Sequence, residues 1–398
     1  MIPELRSLYN DTFSAEKYAH FMDDIVGRYN HRPSFHIAET PVFIPASLRD
    51  QLMEACEEIC ALFLQPDFKN LSQGALQPGQ MVPQESDHSL FYVIDFGIGR
   101  DEQGMLFPQL VEAQGFPSLF CYQHILAETY KRHFDAIPQH YTHLFHGMTS
   151  EDYVALLKRV IIGDHHPENV ILLEIEPEKQ TTAIDFYATR DLLGIPFVCL
   201  TKIEKEGRAL YYRNTEGKRI RIERIYNRII FDDLAARPEL NSQFQLTDEV
   251  DVSWAGHPNW FFRISKHTLP LFKSRYVPQA YYLDQLTKLP DDLDQYVLKP
   301  LFSFAGMGVN VNPSPEDIAK IQDRENYILQ RKIKYEPAVQ TPDEPAKVEI
   351  RMMLVQEEGK LKPRLITNLV RLSKGIMTGV RYNKDKTWVG GSVGFFEP

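Results

Sequence analysis

The sequence predicts an α+β fold, and three observations support that class. Residues 14–30 and 47–64 have the apolar spacing of helices. Residues 169–203 contain a continuous apolar strand, a helix that ends at Gly194 and a second strand after Pro196, which is the pattern of a parallel βαβ unit. Beyond residue 296, strand candidates alternate with loops. Helices and strands are therefore both expected, with a parallel unit near the middle of the chain.

The composition is that of a packed globular protein with more than one core. The chain has 398 residues, of which 43% are hydrophobic and 12% aromatic, and a chain of this length usually divides into two or three subdomains. Acidic residues outnumber basic ones by 54 to 44, for a net charge of −10. This balance disfavours nonspecific binding to nucleic acid, so no nucleic-acid partner is expected.

No sequence feature predicts export or membrane insertion. The first residues lack the basic and apolar regions of a signal peptide, and no apolar run reaches the roughly 18 residues of a membrane span. The four cysteines form no C-x-x-C pair, and Cys56 and Cys60 lie on one predicted amphipathic helix, where buried thiols are expected. We expect a cytoplasmic protein with no membrane partner.

The pattern of elements divides the chain into four segments. The first is mostly helical, the second begins with a predicted β-hairpin, the third contains the βαβ unit and a second hairpin, and the fourth contains the remaining strand candidates. A turn-rich stretch at residues 235–260 precedes the last segment. The segments are residues 1–88, 89–160, 161–258 and 259–398.

A lysine at the end of an apolar strand is the first candidate for chemistry. In "YVLKPLFSFAGMGVNV", Lys299 is followed by a loop of small residues that includes Gly306 and Gly308. Glycines let backbone N–H groups approach an anion, and lysine adds a point charge, so the stretch is suited to phosphate. The alternative is an ordinary hairpin with a lysine extending to solvent. It is not a Walker A motif, because no G-K-[ST] follows.

Acidic and amide side chains on the first hairpin are the second candidate. Asp95 lies within the apolar strand "YVID", and Glu112 and Gln114 lie two residues apart in "VEAQ", which places them on one face. Oxygen ligands of this kind suit a magnesium ion. The alternative is a solvated hairpin face, although an unpaired carboxylate inside an apolar run would be costly to bury.

Arginines on two late strands are the third candidate. Glu349 and Arg351 alternate with apolar residues in "VEIRMMLV", and Asn368 and Arg371 follow in "TNLVRLS". Arginines on strands that face a cleft suit phosphate or carboxylate ligands. Cross-strand salt bridges with Glu349 are the alternative. The sequence contains no H-E-x-x-H, no G-x-S-x-G and no dinucleotide-binding fingerprint.

Taken together, the motifs resemble the ATP-grasp superfamily, and specifically its circularly permuted branch, which includes glutathionylspermidine synthetase-like proteins. A strand lysine, a small-residue loop, the strand "YILQRKI" and the two arginine strands follow in the order of that superfamily. The metal motif that should come last is instead similar to "YVIDF…LVEAQ", upstream in the chain. The resemblance implies a circularly permuted ATP-grasp fold with a βαβ-containing middle domain, in which residues 89–160 are the metal-binding part and residues 259–398 the ATP-binding part.

The resemblance also implies roles for individual residues. Gln114 stands where the family usually has asparagine, so its amide oxygen is retained on a side chain one methylene longer. The hinge at residues 330–332 would contact adenine through its backbone. The implied magnesium ligands are Asp95, Glu112 and Gln114; the implied ATP contacts are Lys266, Lys299, Ser303, Gly306, Gly308, Gln330 and Lys332; Arg351, Arg371 and Asn368 would line the phosphoryl-transfer site, and Arg228 would bind substrate.

The activity that the resemblance implies is an ATP- and Mg²⁺-dependent carboxylate–amine ligase. Such enzymes activate a carboxylate as an acylphosphate, which an amine then attacks, so the expected partners are a small-molecule or peptide carboxylate and an amine. Two alternatives stay open: a degenerate ATP-grasp nucleotide-binding or interaction module without ligase activity, and a kinase that acts on a small acid or hydroxyl group. The sequence does not reveal the substrates or the oligomeric state.

Overall fold

The computed structural model describes residues 1–303, 307–375 and 383–398, and its helices and sheets confirm the α+β class. The α-helices of these residues are α1 (Pro3–Thr12), α2 (Ala15–Tyr29), α3 (Ala46–Phe63), α4 (Phe68–Leu71), α5 (Phe120–His133), α6 (Ser150–Ile161), α7 (Ala183–Leu193), α8 (Phe231–Ala235), α9 (Pro258–Arg263) and α10 (Pro315–Ala319).

The strands form five sheets within the described residues. They are β1 (Val42–Ile44), β2 (Phe91–Arg100), β3 (Leu106–Gln114), β4 (Val170–Glu174), β5 (Phe197–Cys199), β6 (Glu204–Glu206), β7 (Ala209–Arg213), β8 (Arg219–Ile222), β9 (Arg224–Asn227), β10 (Ser253–Ala255), β11 (Ala280–Tyr282), β12 (Tyr296–Pro300), β13 (Tyr327–Arg331), β14 (Lys347–Val355), β15 (Arg364–Ser373), β16 (Gly390–Ser392) and β17 (Gly394–Phe396).

The largest sheet joins strands from distant parts of the chain. Its order is β16–β15–β14–β2–β3, and all neighbouring strands are antiparallel. Val93 and Met353 contribute to the core on one face, whereas Ile94 and Met352 contribute to the core on the other. Because successive residues of a strand point to opposite faces, a sheet between two cores needs nearly continuous apolar strands. The predicted hairpin is confirmed as β2 and β3.

The predicted βαβ unit is also confirmed. β4 and β5 are parallel neighbours connected by α7, in a parallel sheet of order β10–β9–β4–β5. β4 therefore has β5 on one side and the later strand β9 on the other, so the strand order reverses between β4 and β9. In open parallel sheets, the crevice beyond the carboxyl ends of such strands is the usual place for ligands.

A three-stranded antiparallel sheet, with order β11–β13–β12, carries Lys299 at the end of β12. It packs next to the large sheet: one hydrogen bond joins β13 to β3, and a second joins β3 to Tyr276, which precedes β11. The side-chain amide of Gln330 on β13 donates to the carbonyl of Leu110 on β3 at 3.1 Å, and the N–H of Leu110 donates to the carbonyl of Tyr276 at 2.7 Å. Lys299 is thereby held near the strand that carries Glu112.

The N-terminal segment is helical, and it packs on both sides of the large sheet. Phe21 of α2 belongs to one core and Leu52 of α3 to the other. β1 pairs in parallel with β17, so the first and last strands of the chain form a small sheet of their own. Among the described helices, none combines the length and the apolar character that crossing a bilayer requires.

Candidate functional site

The strand register places acidic and basic side chains together on one face of the large sheet. Asp95 on β2 lies opposite Arg351 on β14 and opposite Glu112 on β3. Glu349, two residues before Arg351, lies opposite Arg371 on β15. Directly opposed residues of antiparallel strands share a face, so these five side chains line one surface.

Asp95 lies at the centre of this surface, and both of its oxygens accept hydrogen bonds from arginine. Arg351 donates from Nε to Oδ1 and from Nη2 to Oδ2 at 2.7 Å each, and Arg371 donates from Nη2 to Oδ2 at 2.8 Å. Burial raises the pKa of Asp95, but the two guanidinium groups outweigh it and hold that pKa at about 2. Asp95 is thus ionised, and in this structure its partners are arginines.

Glu349 and Arg371 extend the network to a tyrosine that sequence reasoning missed. The Tyr335 hydroxyl donates a hydrogen bond to Oε1 of Glu349, and Arg371 lies 3.3 Å from the other oxygen. Tyr335 passes over the sheet at Gly97, where an added Cβ would lie 2.7 Å from its ring. The signal that could have revealed this contact is the glycine inside an otherwise apolar strand, which marks a close approach.

A β-bulge shapes the part of the site that contains Glu112. The register of β2 and β3 shifts after Asp95, which leaves Val111 as the extra residue of β3. Its carbonyl accepts a hydrogen bond from Lys299 Nζ at 3.3 Å. Next to it, the amide nitrogen of Gln114 donates to Oε1 of Glu112 at 2.7 Å. The predicted pairing of Glu112 with Gln114 on one face is therefore present, and the bulge brings Lys299 to the same strand.

The charge of Glu112 influences the pKa values of two nearby lysines, Lys299 and Lys266. Burial lowers the pKa of Lys299 to about 8, an effect that Glu112 and Glu349 oppose and that Lys266 increases. Burial also lowers the pKa of Lys266, which Glu112 and Asp232 oppose. Two ammonium groups held together away from solvent are a suitable environment for an anion such as phosphate, because each needs negative charge to offset its desolvation.

The loop after Lys299 is described only in part, because Gly306 lies outside the described residues. Ser303 accepts hydrogen bonds from Lys266 Nζ at its carbonyl and, at 3.2 Å, at its hydroxyl. Gly308 has φ of 70°, where an added Cβ would lie 3.0 Å from Pro300. Asn310 then forms an isolated bridge with Leu298, which brings the chain back beside β12.

Residues 330–332, which are predicted to contact adenine, have hydrogen-bond partners within the chain. The side chain of Gln330 is buried against β3, and the N–H groups of Arg331 and Lys332 donate to the carbonyls of Gln279 and Gln295. The Lys332 ammonium donates to the carbonyl of Asp294 at 2.6 Å and to Asn312 Oδ1 at 2.8 Å. These two backbone N–H groups are therefore engaged within the protein, and the adenine contact stays a prediction.

The structure corrects the role predicted for Asn368. Its register partner is Met352, a core residue, whereas Arg351 lies opposite Leu369. The Asn368 amide donates to the carbonyls of His143 and Gly394 and accepts from the N–H of Gly394 at 2.7 Å. Asn368 and Arg371 are three residues apart, and on a strand an odd spacing separates side chains to opposite faces. Asn368 therefore connects backbone segments and does not line the charged surface.

Arg228 lies at the reversal point of the parallel sheet, directly after β9. It follows β9, is 6% exposed and donates to Oδ2 of Asp185 at 2.8 Å. Its guanidinium carbon lies 5.7 Å from the ring centre of Phe116, which comes two residues after Gln114. The Nε of Arg228 is buried without a hydrogen-bond partner among the described residues. Arg228 thus places the reversal point of the parallel sheet close to the end of β3.

The chain can now be compared with known proteins. No family model and no curated protein matches it. Among solved structures it is similar to a glutathione synthetase-like effector from Globodera pallida, with a TM-score of 0.60 and 11% identity over 100% of this chain and 99% of that one. A protein from Methylobacillus flagellatus KT, provisionally described as a gamma-glutamylcysteine synthetase, gives a TM-score of 0.38 at 11% identity, over 84% and 85% of the two chains. The first comparison shows that this chain has the fold of a glutathione synthetase-like protein, over its whole length.

Proposed function

We propose that this protein is an ATP- and Mg²⁺-dependent carboxylate–amine ligase with a circularly permuted ATP-grasp core. The observation that supports this most strongly is the assembly of one charged surface from strands far apart in sequence. Glu112 and Asp95 on the early hairpin meet Arg371 on a late strand and Lys299 on the adjoining sheet. An early hairpin inserted beside late strands is what the permutation requires.

The residues of this surface fit both ATP and the magnesium ion that the reaction needs. Lys299, Lys266 and Arg371 would bind the phosphates of ATP. The charge of Glu112 raises the pKa of all three, so these cations lie close to a proposed magnesium ligand. Glu112 and Gln114 offer oxygens for magnesium, and a carboxylate has further lone pairs beyond those that arginines occupy, so Asp95 fits as a third ligand. Magnesium, when bound, would neutralise the charge on the phosphates.

The transfer step then needs positioning more than covalent chemistry. A substrate carboxylate oxygen attacks the γ-phosphorus, ADP leaves, and an amine attacks the acylphosphate carbon with loss of phosphate. Arg371 would stabilise the charge of the transferring group, while Arg351, with 8% of its side chain exposed, fixes Asp95 beside it. Arg228, whose Nε has no hydrogen-bond partner among the described residues, would bind the substrate beyond the end of β3.

A second candidate is a nucleotide-binding module without ligase activity. Both oxygens of Asp95 are engaged by arginines, and Oε1 of Glu112 accepts a hydrogen bond from Gln114. If these bonds persist with nucleotide present, few oxygens remain for a metal ion. The similar Globodera pallida protein is itself described as an effector.

Trapping of the acylphosphate tests ligase activity without knowledge of the natural amine. The protein is incubated with Mg-ATP, hydroxylamine and a panel of amino acids and short peptides. We expect ADP and an acyl hydroxamate in equal amounts with at least one acid, and loss of both in Glu112→Gln. Magnesium-dependent ATP binding with no acid-stimulated ADP release across the panel would instead support the nucleotide-binding module.

The affinity for ATP should fall as the pH rises through the pKa of Lys299. Because that pKa is about 8 in the free protein, the ammonium that attracts phosphate is mostly present at about pH 7 and mostly lost at about pH 9. The dissociation constant of Mg-ATP should therefore rise about tenfold over this range. Lys299→Arg, which stays charged, is the control and should show a nearly flat profile. An equally flat profile in the unmodified protein would exclude Lys299 from phosphate binding.

A further inference from the structure

A second cluster of metal-ligating side chains lies apart from the charged surface. His124 and Glu128 are one turn apart on α5, and His143 belongs to the segment that follows this helix. One ligand atom from each of the three lies within 4.8 Å of the others. Residues four apart on a helix share a face, so α5 directs both side chains toward His143.

The three donors are of the types that a transition metal takes. His124 Nδ1 and His143 Nε2 are 3.0 Å apart, and the two residues are 5% and 2% exposed. Two imidazole nitrogens with one carboxylate, leaving a fourth position for water, form a set that Zn²⁺ uses in proteins.

The hydrogen bond between the two imidazole rings explains why they lie close together, but it does not explain why the carboxylate of Glu128 lies beside them. Within the described residues, the carboxylate of Glu128 makes no hydrogen bond or ion pair. It is only partly buried, so the cluster is open to solvent on that side, which gives an ion and a water ligand access.

We propose that His124, Glu128 and His143 bind one zinc ion. The site is independent of the proposed ligase function, since its donors are mainly nitrogen whereas the charged surface offers magnesium only oxygens. Zinc would fasten α5 to residues 141–146. That segment pairs with β17 through Thr142 and Phe396, and Asn368 of β15 holds the carbonyl of His143. The ion would thus join the helix to strands at the other end of the chain.

Zinc affinity of the chelator-treated protein, measured by competition with a chromophoric chelator, tests this site. We expect one high-affinity ion per chain, a rise in melting temperature with zinc, and a tetrahedral absorption spectrum with Co²⁺. Glu128→Gln, at a partly exposed helix position, should weaken binding by about tenfold or more. His124→Asn should abolish it.

Two matched controls sit close to the cluster. His140→Asn changes an exposed histidine in the segment that follows α5 and contains His143. Glu151→Gln changes a carboxylate on α6 that lies near His124. Both should bind zinc as the unmodified protein does. The assignment is overturned if no stoichiometric high-affinity binding occurs, or if Glu128→Gln binds zinc as tightly as these controls while far-ultraviolet circular dichroism reports an intact fold.

Discussion

Asp95→Asn is expected to lower the free energy of unfolding by about 3–5 kcal/mol, as for other buried ion pairs that lose one partner. Asp95 is 1% exposed and neutralises two arginines. An asparagine of the same size leaves Arg351 buried without an opposing charge, although Arg371 keeps Glu349. Denaturant unfolding of both proteins measures the difference.

The same ion pair makes stability depend on acid. The folded pKa of Asp95 is about 2, below its ordinary value of 3.8. Stability from Asp95 is therefore fully present above the ordinary pKa and is lost as the pH falls toward 2. Asp95→Asn should remove this part of the acid dependence. Asp292→Asn, in the exposed pair with Arg331, is the control and should change stability by at most about 1 kcal/mol. Equal costs at the two positions would contradict the role given to Asp95.

Asp185→Asn should cost a similar amount, about 3–5 kcal/mol. Asp185 on α7 is fully buried, accepts the N–H of Tyr122 and pairs with Arg228. Asparagine can keep the first bond, but it removes the carboxylate with which the buried Arg228 guanidinium forms its ion pair. Thermal and denaturant unfolding give the magnitude.

Asp191→Asn is the control, because it makes the same substitution on α7 and so has a similar effect on helix propensity without breaking a buried ion pair. Asp191 pairs with Arg28 at an exposed position, so its loss should cost at most about 1 kcal/mol. If the proposed substrate contact of Arg228 is correct, a substrate carboxylate should restore part of the stability of Asp185→Asn and none of Asp191→Asn. A substrate-independent loss in both variants would argue against that contact.

Local patterns were sufficient to predict α2, α3, the β2–β3 hairpin and the βαβ unit. Each depends on periodicity and turn residues that neighbouring side chains determine, as at Gly194 and Pro196 after α7. The pairing of β2 with β14 has no local signal, since both strands read as apolar runs that any buried neighbour would satisfy. It was expected only because the order of motifs resembled a permuted family.

The details of the candidate site were harder to predict for physical reasons. Whether a strand residue faces the site depends on register, so the side-chain direction of Asn368 changes with a shift of one residue. The arginines that occupy Asp95 come from strands more than 250 residues away in sequence. The bulge at Val111 inserts a residue that no local pattern marked. By contrast, His124 and Glu128 had a helical spacing that was visible in the sequence, and their partner His143 was not.

Calorimetric titration with ATP, with and without magnesium, tests the central claim most directly. The unmodified protein is compared with Lys299→Ala and Glu112→Ala, which change two residues on different sheets. A single permuted ATP site predicts magnesium-dependent binding in the micromolar range that is lost in both variants. Binding that survives Glu112→Ala would remove the metal assignment, and absence of binding to the unmodified protein would contradict the proposed nucleotide site altogether.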